Sequence, residues 1–351
     1  MTATQESVPG GNDWAALYTG SARDAHRRTL LELARADDRI FCVDSDTGGF
    51  EDGFAAELPA QYANVGIAEA NLFGMSAGLA ASGLIPFAHT MSTFATTRAC
   101  EQLKLDVAGN NLPVKVVATH GGLSAGHYGP SHHALQDLAI VRTLPHLTVL
   151  VPADAGETAL AVRAAARHPG PVYIRLGRNA TPRVYQEPYD FTIGASVELA
   201  DGDDLLVVAT GALPVHYALT ARDVLAERGV SARVVNMHTI KPLDHAPLLR
   251  AARETAGIVT VEDHLVVGGL GGAVSEVVTS EHPCRVRRVG VADRYLDTVG
   301  DERDLLEDGG VTVDRVVTEA LTLLKPTPTD AYSARPGAYE PRTDQHNTRR
   351  R

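Results

Sequence analysis

Asn64-Val65-Gly66-Ile67-Ala68-Glu69-Ala70-Asn71 opens a run that is almost free of charge. Between residues 58 and 97, Glu69 is the single side chain of the Asp, Glu, Lys and Arg set. Ala68, Leu72, Met75 and Leu79 recur at i, i+4, i+7 and i+11, the spacing of one helix face. Phe73, Ser76 and Ala80 on the opposite face are hardly more polar, so the spacing predicts a helix that is apolar all round and therefore buried. Glu69 then sits near the start of a buried helix with no cation close in sequence. Burial disfavours the charged form of a carboxyl, and an isolated buried charge is costly unless something requires it. The plainer alternative is a first-turn glutamate that serves the helix dipole and reaches solvent. Position alone leaves both readings open.

Outward from this stretch, short apolar strands alternate with helices. Strands are expected at residues 39–43, 84–87, 113–118, 148–151 and 172–174, with helices between them and before the first. A second series follows, with strands at residues 205–209, 232–235, 258–261 and 284–286. Such alternation predicts an α/β protein of two doubly wound domains, the second the smaller. The expected division is a flexible arm over residues 1–13, a first domain over 14–182, a linker over 183–203, a second domain over 204–325, and a disordered tail over 326–351. In doubly wound sheets, ligands sit beyond the carboxyl ends of the strands. Asp46, Phe94 and His120 all follow strands.

Composition narrows the function. The chain has 351 residues, 44% of them hydrophobic, and a net charge of −11. That charge argues against a nucleic-acid or anionic-membrane surface. Cys42, Cys100 and Cys284 show no metal spacing, and so sparse a count fits a reducing compartment. With no charged-then-apolar leader and no long apolar run, the expectation is a soluble cytoplasmic protein.

The loop over residues 120–133 holds four glycines and four of the 14 histidines. Glycines let backbone approach a ligand, and imidazoles bind oxyanions and hydroxyls. A zinc site and a purely structural loop are the competing readings. Arg23 and Arg178, together with His120, would make a phosphate site. Asp44 and Asp46 are either paired carboxylates or an ordinary strand-to-helix turn. The glycines over 268–272 lack the G-x-G-x-x-G spacing and read as close strand–helix packing. No serine or cysteine nucleophile is expected.

Asn64 to Asn71, the Thr93-Phe94 turn, the loop over 120–133 and Val261-Glu262-Asp263-His264 together resemble the C-terminal half of transketolases. The similarity runs from about residue 21 to 324. It implies a pyrimidine-binding domain for thiamine diphosphate followed by a transketolase C-terminal domain. A glutamate in the place of Glu69 bonds the aminopyrimidine ring and promotes the tautomer that deprotonates the thiazolium carbon. Phe94 matches the aromatic that stacks on that ring, and Asp46 matches a carboxylate of the same pocket. Met91 and Thr97 stand where other members carry further aromatics. His132 matches a histidine that bonds the donor's hydroxyl. Arg23, His120 and Arg178 match three groups that hold a sugar phosphate, and Phe50 stands where a fourth, a serine, would be. Tyr128 replaces an aspartate that reads a substrate hydroxyl, and its neighbour His127 replaces a glutamate.

In this family the diphosphate and its Mg²⁺ or Ca²⁺ are held by another domain that carries Gly-Asp-Gly. That tripeptide is absent from this sequence. The resemblance therefore implies one subunit of a split, two-subunit transketolase, with no metal ligand of its own. A separate N-terminal subunit would carry the diphosphate-binding domain, in an α2β2 assembly acting on sugar phosphates. Two other readings are a beta-type subunit of a 2-oxoacid dehydrogenase or hybrid enzyme that passes a C2 unit to a lipoyl or carrier-protein arm, and a non-catalytic partner subunit.

Overall fold

The computed structural model of the chain describes residues 20–325. The expected arm over 1–13 and tail over 326–351 lie outside the described residues. The first described helix is Ala22–Ala36, capped by the Ser21 side chain, which accepts from the Asp24 amide.

The strands of the described residues are β1 (Ile40–Asp44), β2 (Tyr62–Asn64), β3 (Ile85–Met91), β4 (Lys115–Thr119), β5 (Thr148–Leu150), β6 (Val172–Arg175), β7 (Val197–Ala200), β8 (Leu205–Ala209), β9 (Ala232–Asn236), β10 (Thr239–Lys241), β11 (Ile258–Leu265) and β12 (Val286–Val291). They form two sheets, in the orders β10-β5-β6-β4-β3-β1-β2 and β12-β11-β8-β9-β7. All pairings are parallel except β10 on β5 and β7 on β9. The architecture is two α/β units with mostly parallel sheets. β4 shows why parallel pairing wins: all five of its residues are buried, and both faces are covered.

Alternation along the first sheet separates its two faces. Cys42, Phe87, Val117, Leu150 and Ile174 pack with Leu30 and Ala34 of the first helix and Ala161 and Val162 of the Ala155–Arg167 helix. Their chain neighbours Val43, Ala88, Val116, Val149 and Tyr173 point into another core, with Leu72 and Phe73 of the Glu69–Ala81 helix. That second core also contains Met237, Leu248, Leu270 and Val274, so the two units share an apolar interior.

Three expectations change here. β7 lies inside the stretch read as a linker, and β10 joins the first unit's sheet rather than the second's. Both are short edge strands, and pairing with an already formed sheet, not apolar patterning, makes them strands. The Glu69–Ala81 helix is not buried all round: Leu72, Phe73, Ser76, Ala77 and Ala80 are buried, while Asn71, Gly74 and Gly78 face outward. Its most deeply covered side runs through Phe73, Ser76 and Ala80, while Leu72 is buried and Met75 and Leu79 pack partly buried on the same core. Finally, the single helix expected from about residue 94 to 108, between the strands at 84–87 and 113–118, is broken. Phe94 O accepts from both Arg98 N (3.1 Å) and Ala99 N (3.2 Å), a widened turn that ends the Ser92–Thr97 helix. None of the described helices is long and apolar enough to cross a membrane.

Candidate functional site

Parallel register sets the ends of β1, β3 and β4 side by side: Asp44 pairs with His89, and Met91 with Thr119. The segments that leave these ends carry most of the residues singled out in the sequence. Two of them, Asp46 and His120, have φ of 62° and 58°, in a region that non-glycine residues rarely occupy. Such strain persists where surrounding structure enforces it, and it clusters at functional sites.

Glu69 is 5% exposed at the first turn of its helix. It does have a cation, supplied from 29 residues further along: Arg98 Nη1 donates to Glu69 Oε1 at 3.0 Å. The same guanidinium lies 3.8 Å over the Phe94 ring. His132 meets Phe94 edge-on, with ring centroids 5.1 Å apart. Tyr128 lies 4.8 Å from His132 and 4.0 Å from His127. His120 closes the row, 6.4 Å from Tyr128. One chain of side chains therefore connects Glu69 to His120. Sequence reasoning missed Arg98, although its spacing of four from Phe94 in a stretch expected to be helical was a usable signal.

His120 is buried, with Thr119 Oγ1 2.9 Å from its Nδ1. Burial is the main cause that pushes its pKa down to about 3, and Arg23 and Arg178 push the same way. The imidazole is thus neutral near pH 7, and both arginines are close enough to act on it. Arg23 stands in the first turn of the Ala22–Ala36 helix, and its buried Nε has no hydrogen-bond partner. Arg178 follows β6. The pKa of His127 is lowered by desolvation and by Arg178, and that of His132 by desolvation, Arg98 and His127.

Asp46, Met91 and Thr97 form no hydrogen bond or ion pair with this row among the described residues. Asp46 is exposed, Met91 caps the Ser92–Thr97 helix, and the Thr97 hydroxyl donates to Thr93 O at 2.7 Å. Asp44 is the buried member of its pair. Its Oδ1 accepts from Thr47, its Oδ2 has no partner, and burial raises its pKa. Phe50 is buried, with its ring 4.4 Å from that of His89.

The glycines of the 120–133 loop face protein rather than a ligand. A Cβ on Gly122 would stand 1.8 Å from Asp263 Oδ2, and one on Gly126 would stand 2.4 Å from Leu305. They let the loop lie flat on the second unit. Residues 122–126 also fit the G-x-S-x-G spacing, which the nucleophile reading did not credit. Ser124 is buried, and its hydroxyl donates to Gly121 O at 2.7 Å, so it is not a nucleophile elbow. Among the described residues, no three His, Cys, Asp or Glu side chains converge as a metal site requires.

The Val261–His264 motif builds the floor. Arg175 donates to Asp137 Oδ2 (2.7 Å), to the Asp263 carboxylate, and to Asp263 O (3.0 Å) and Ala134 O (3.1 Å). Glu262 accepts from Leu270 N (2.6 Å) and Gly271 N (2.8 Å). The glycines over 268–272 wrap this carboxylate, since a Cβ on Gly269 would lie 2.0 Å from it.

Two family profiles match the chain: "Transketolase, pyrimidine binding domain" over residues 20–183, and "Transketolase, C-terminal domain" over residues 194–316. The 6-deoxy-6-sulfo-D-fructose transketolase subunit of Clostridium sp. (strain MSTE9) is 40% identical over 300 residues, covering 85% of this chain and 92% of that protein. An apulose-4-phosphate transketolase subunit of Phocaeicola vulgatus is 39% identical over 308 residues, covering 87% and 98%. A solved structure described as a split gene transketolase, inactive beta4 tetramer, superposes with a TM-score of 0.78. It is 40% identical, over 87% of this chain and 98% of that one.

Proposed function

The chain belongs to the transketolase family, and on that premise we propose that it is the pyrimidine-binding half of a thiamine-diphosphate transketolase, completed by a separate subunit. The observation that carries this reading is the buried Glu69 carboxyl linked through Arg98 to the Phe94 ring, with His132 in a T-shaped contact with that ring. A buried carboxyl near one aromatic face suits the cofactor's aminopyrimidine ring. Glu69 would bond a ring nitrogen and share its proton, and Phe94 would stack on the ring. Asp46, Met91 and Thr97 would border it. When bound, thiamine diphosphate supplies a nucleophilic carbon and an electron sink for cleaving the bond beside a ketose carbonyl.

The remaining residues position the sugar. His132 bonds the donor's hydroxyls, and Tyr128, with His127 beside it, offers a phenol where relatives offer a carboxylate. Arg23, Arg178 and neutral His120 hold the terminal phosphate, the arginines by charge and the imidazole by a hydrogen bond. The reaction is transfer of a two-carbon ketol unit from a ketose phosphate to an aldose phosphate or another acceptor. Transfer to a carrier-protein arm is the other reading, and the Arg23, His120 and Arg178 group favours the sugar phosphate. The diphosphate and its Mg²⁺ belong to the partner in an α2β2 assembly. Two relatives are named as subunits, and a third is described as an inactive tetramer of one chain type, which supports dependence on a partner. Three free cysteines and the absence of a long apolar helix among the described residues suit the cytoplasm.

Reconstitution tests the proposal. The purified chain alone should transfer no ketol unit. Adding a subunit that carries the Gly-Asp-Gly domain, with thiamine diphosphate and Mg²⁺, should restore turnover of a phosphorylated ketose. Turnover by the chain alone refutes the split-subunit reading.

A further inference from the structure

Arg98 touches both groups that the cofactor reading assigns to the aminopyrimidine ring. Its guanidinium donates to Glu69 Oε1 at 3.0 Å and stacks 3.8 Å over Phe94. A planar group that bonds this carboxyl and also covers this ring makes the same two kinds of contact that the reading assigns to a planar heterocycle. We propose that the Arg98 guanidinium and the cofactor's aminopyrimidine ring are alternative occupants of the gap between Glu69 and Phe94. Arg98 is a positioning residue that holds Glu69 until the ring displaces it. This rests on the cofactor reading above.

Three features of the chain make the exchange feasible. Arg98 is half exposed while Glu69 is 5% exposed, so the arginine can swing into solvent and the glutamate cannot. Arg98 leaves the helix at the widened turn where Phe94 O accepts two amides, and its reach to Glu69 is set within this chain. The His132 ring is inclined at 76° to that of Phe94, so the two are not stacked face to face. Without the guanidinium, Glu69 would be a buried carboxylate lacking its cation, and a ring donor would gain what Arg98 had held.

The test is equilibrium binding of thiamine diphosphate to the reconstituted complex, read by calorimetry. An ion pair with one partner half exposed, plus one cation–π contact, corresponds to about threefold to tenfold in affinity. Arg98→Ala and Arg98→Gln should therefore tighten cofactor binding by about that factor. A residue that merely supports the fold would, when replaced, weaken binding or leave it unchanged, and either result in both variants overturns the proposal. Glu69→Gln and Phe94→Ala serve as the reference pair. If both weaken binding while the Arg98 variants fail to tighten it, this inference falls and the cofactor site stands. If neither changes it, the cofactor reading itself falls, and this inference with it.

Discussion

His120 is kept neutral by burial, with Arg23 and Arg178 lowering its pKa further, so in the proposed phosphate site the charge is left to the two arginines. Arg23 Nε, buried without a partner, is the kind of donor that a phosphate oxygen satisfies. Arg178→Ala should raise KM for phosphorylated ketoses by about tenfold, the loss of one charge-assisted hydrogen bond, and leave unphosphorylated ketoses unaffected. Steady-state kinetics on the two substrate classes check this, and equal losses for both place Arg178 outside the phosphate site. Glu69 shows what a sequence hides at this scale. Its isolation among apolar residues was legible, whereas its ion pair with Arg98 was not, because 29 residues separate the partners and only folding joins them. Phe50 is the converse. Its place in the chain suggested the anion pocket, and its side chain instead packs on His89.

At the scale of elements, β3 and the first helix meet through two imidazoles. His26 Nε2 and His89 Nε2 are 2.8 Å apart, and His89 Nδ1 is 3.1 Å from Val43 O. That geometry puts the His89 proton on Nδ1 and makes its Nε2 the acceptor of the His26 proton. Burial lowers both pKa values, that of His89 to about 3. The unfolded chain therefore binds protons here that the folded chain refuses. The stability this confers is complete above the unfolded pKa of about 6.5 and declines as pH falls below it, by about 1.4 kcal/mol per pH unit for each histidine. Denaturant unfolding of the chain should accordingly show a shallower loss of stability between about pH 6 and 5 for His89→Asn than for wild type. Parallel profiles contradict the assignment. Central parallel strands such as β4 and β8 were readable because each is largely apolar and buried along its whole length. β7 and β10 were not, because an edge strand is defined by the sheet it joins. The break after Thr97 was likewise hidden, since helix propensity continues through a turn that the Phe94 carbonyl widens.

Across the whole molecule, the two units are joined by more than a connecting segment. A common apolar core, the pairing of β10 on β5 and the buried Arg175 between Asp137 and Asp263 fix the second unit against the loop that carries His120, Tyr128 and His132. The motif over 261–264 thus acts on the site from below, by holding the loop's backbone. Two α/β units were expected from alternation alone. Their merged interior was not, because nothing in a periodic pattern says which other pattern it packs against. Tyr128 of the row is 48% exposed, and Ile67, two residues before Glu69, is 72% exposed, which suits the second subunit proposed above. In the proposed function this chain supplies the carboxyl that activates a cofactor anchored on another subunit. Proton–deuterium exchange at the reactive carbon of thiamine diphosphate, measured in the reconstituted complex, tests it most directly. Glu69→Gln should slow that exchange by about 100-fold or more, the contribution of a positioned acid–base group. Exchange at the wild-type rate in the Glu69→Gln complex would contradict the account.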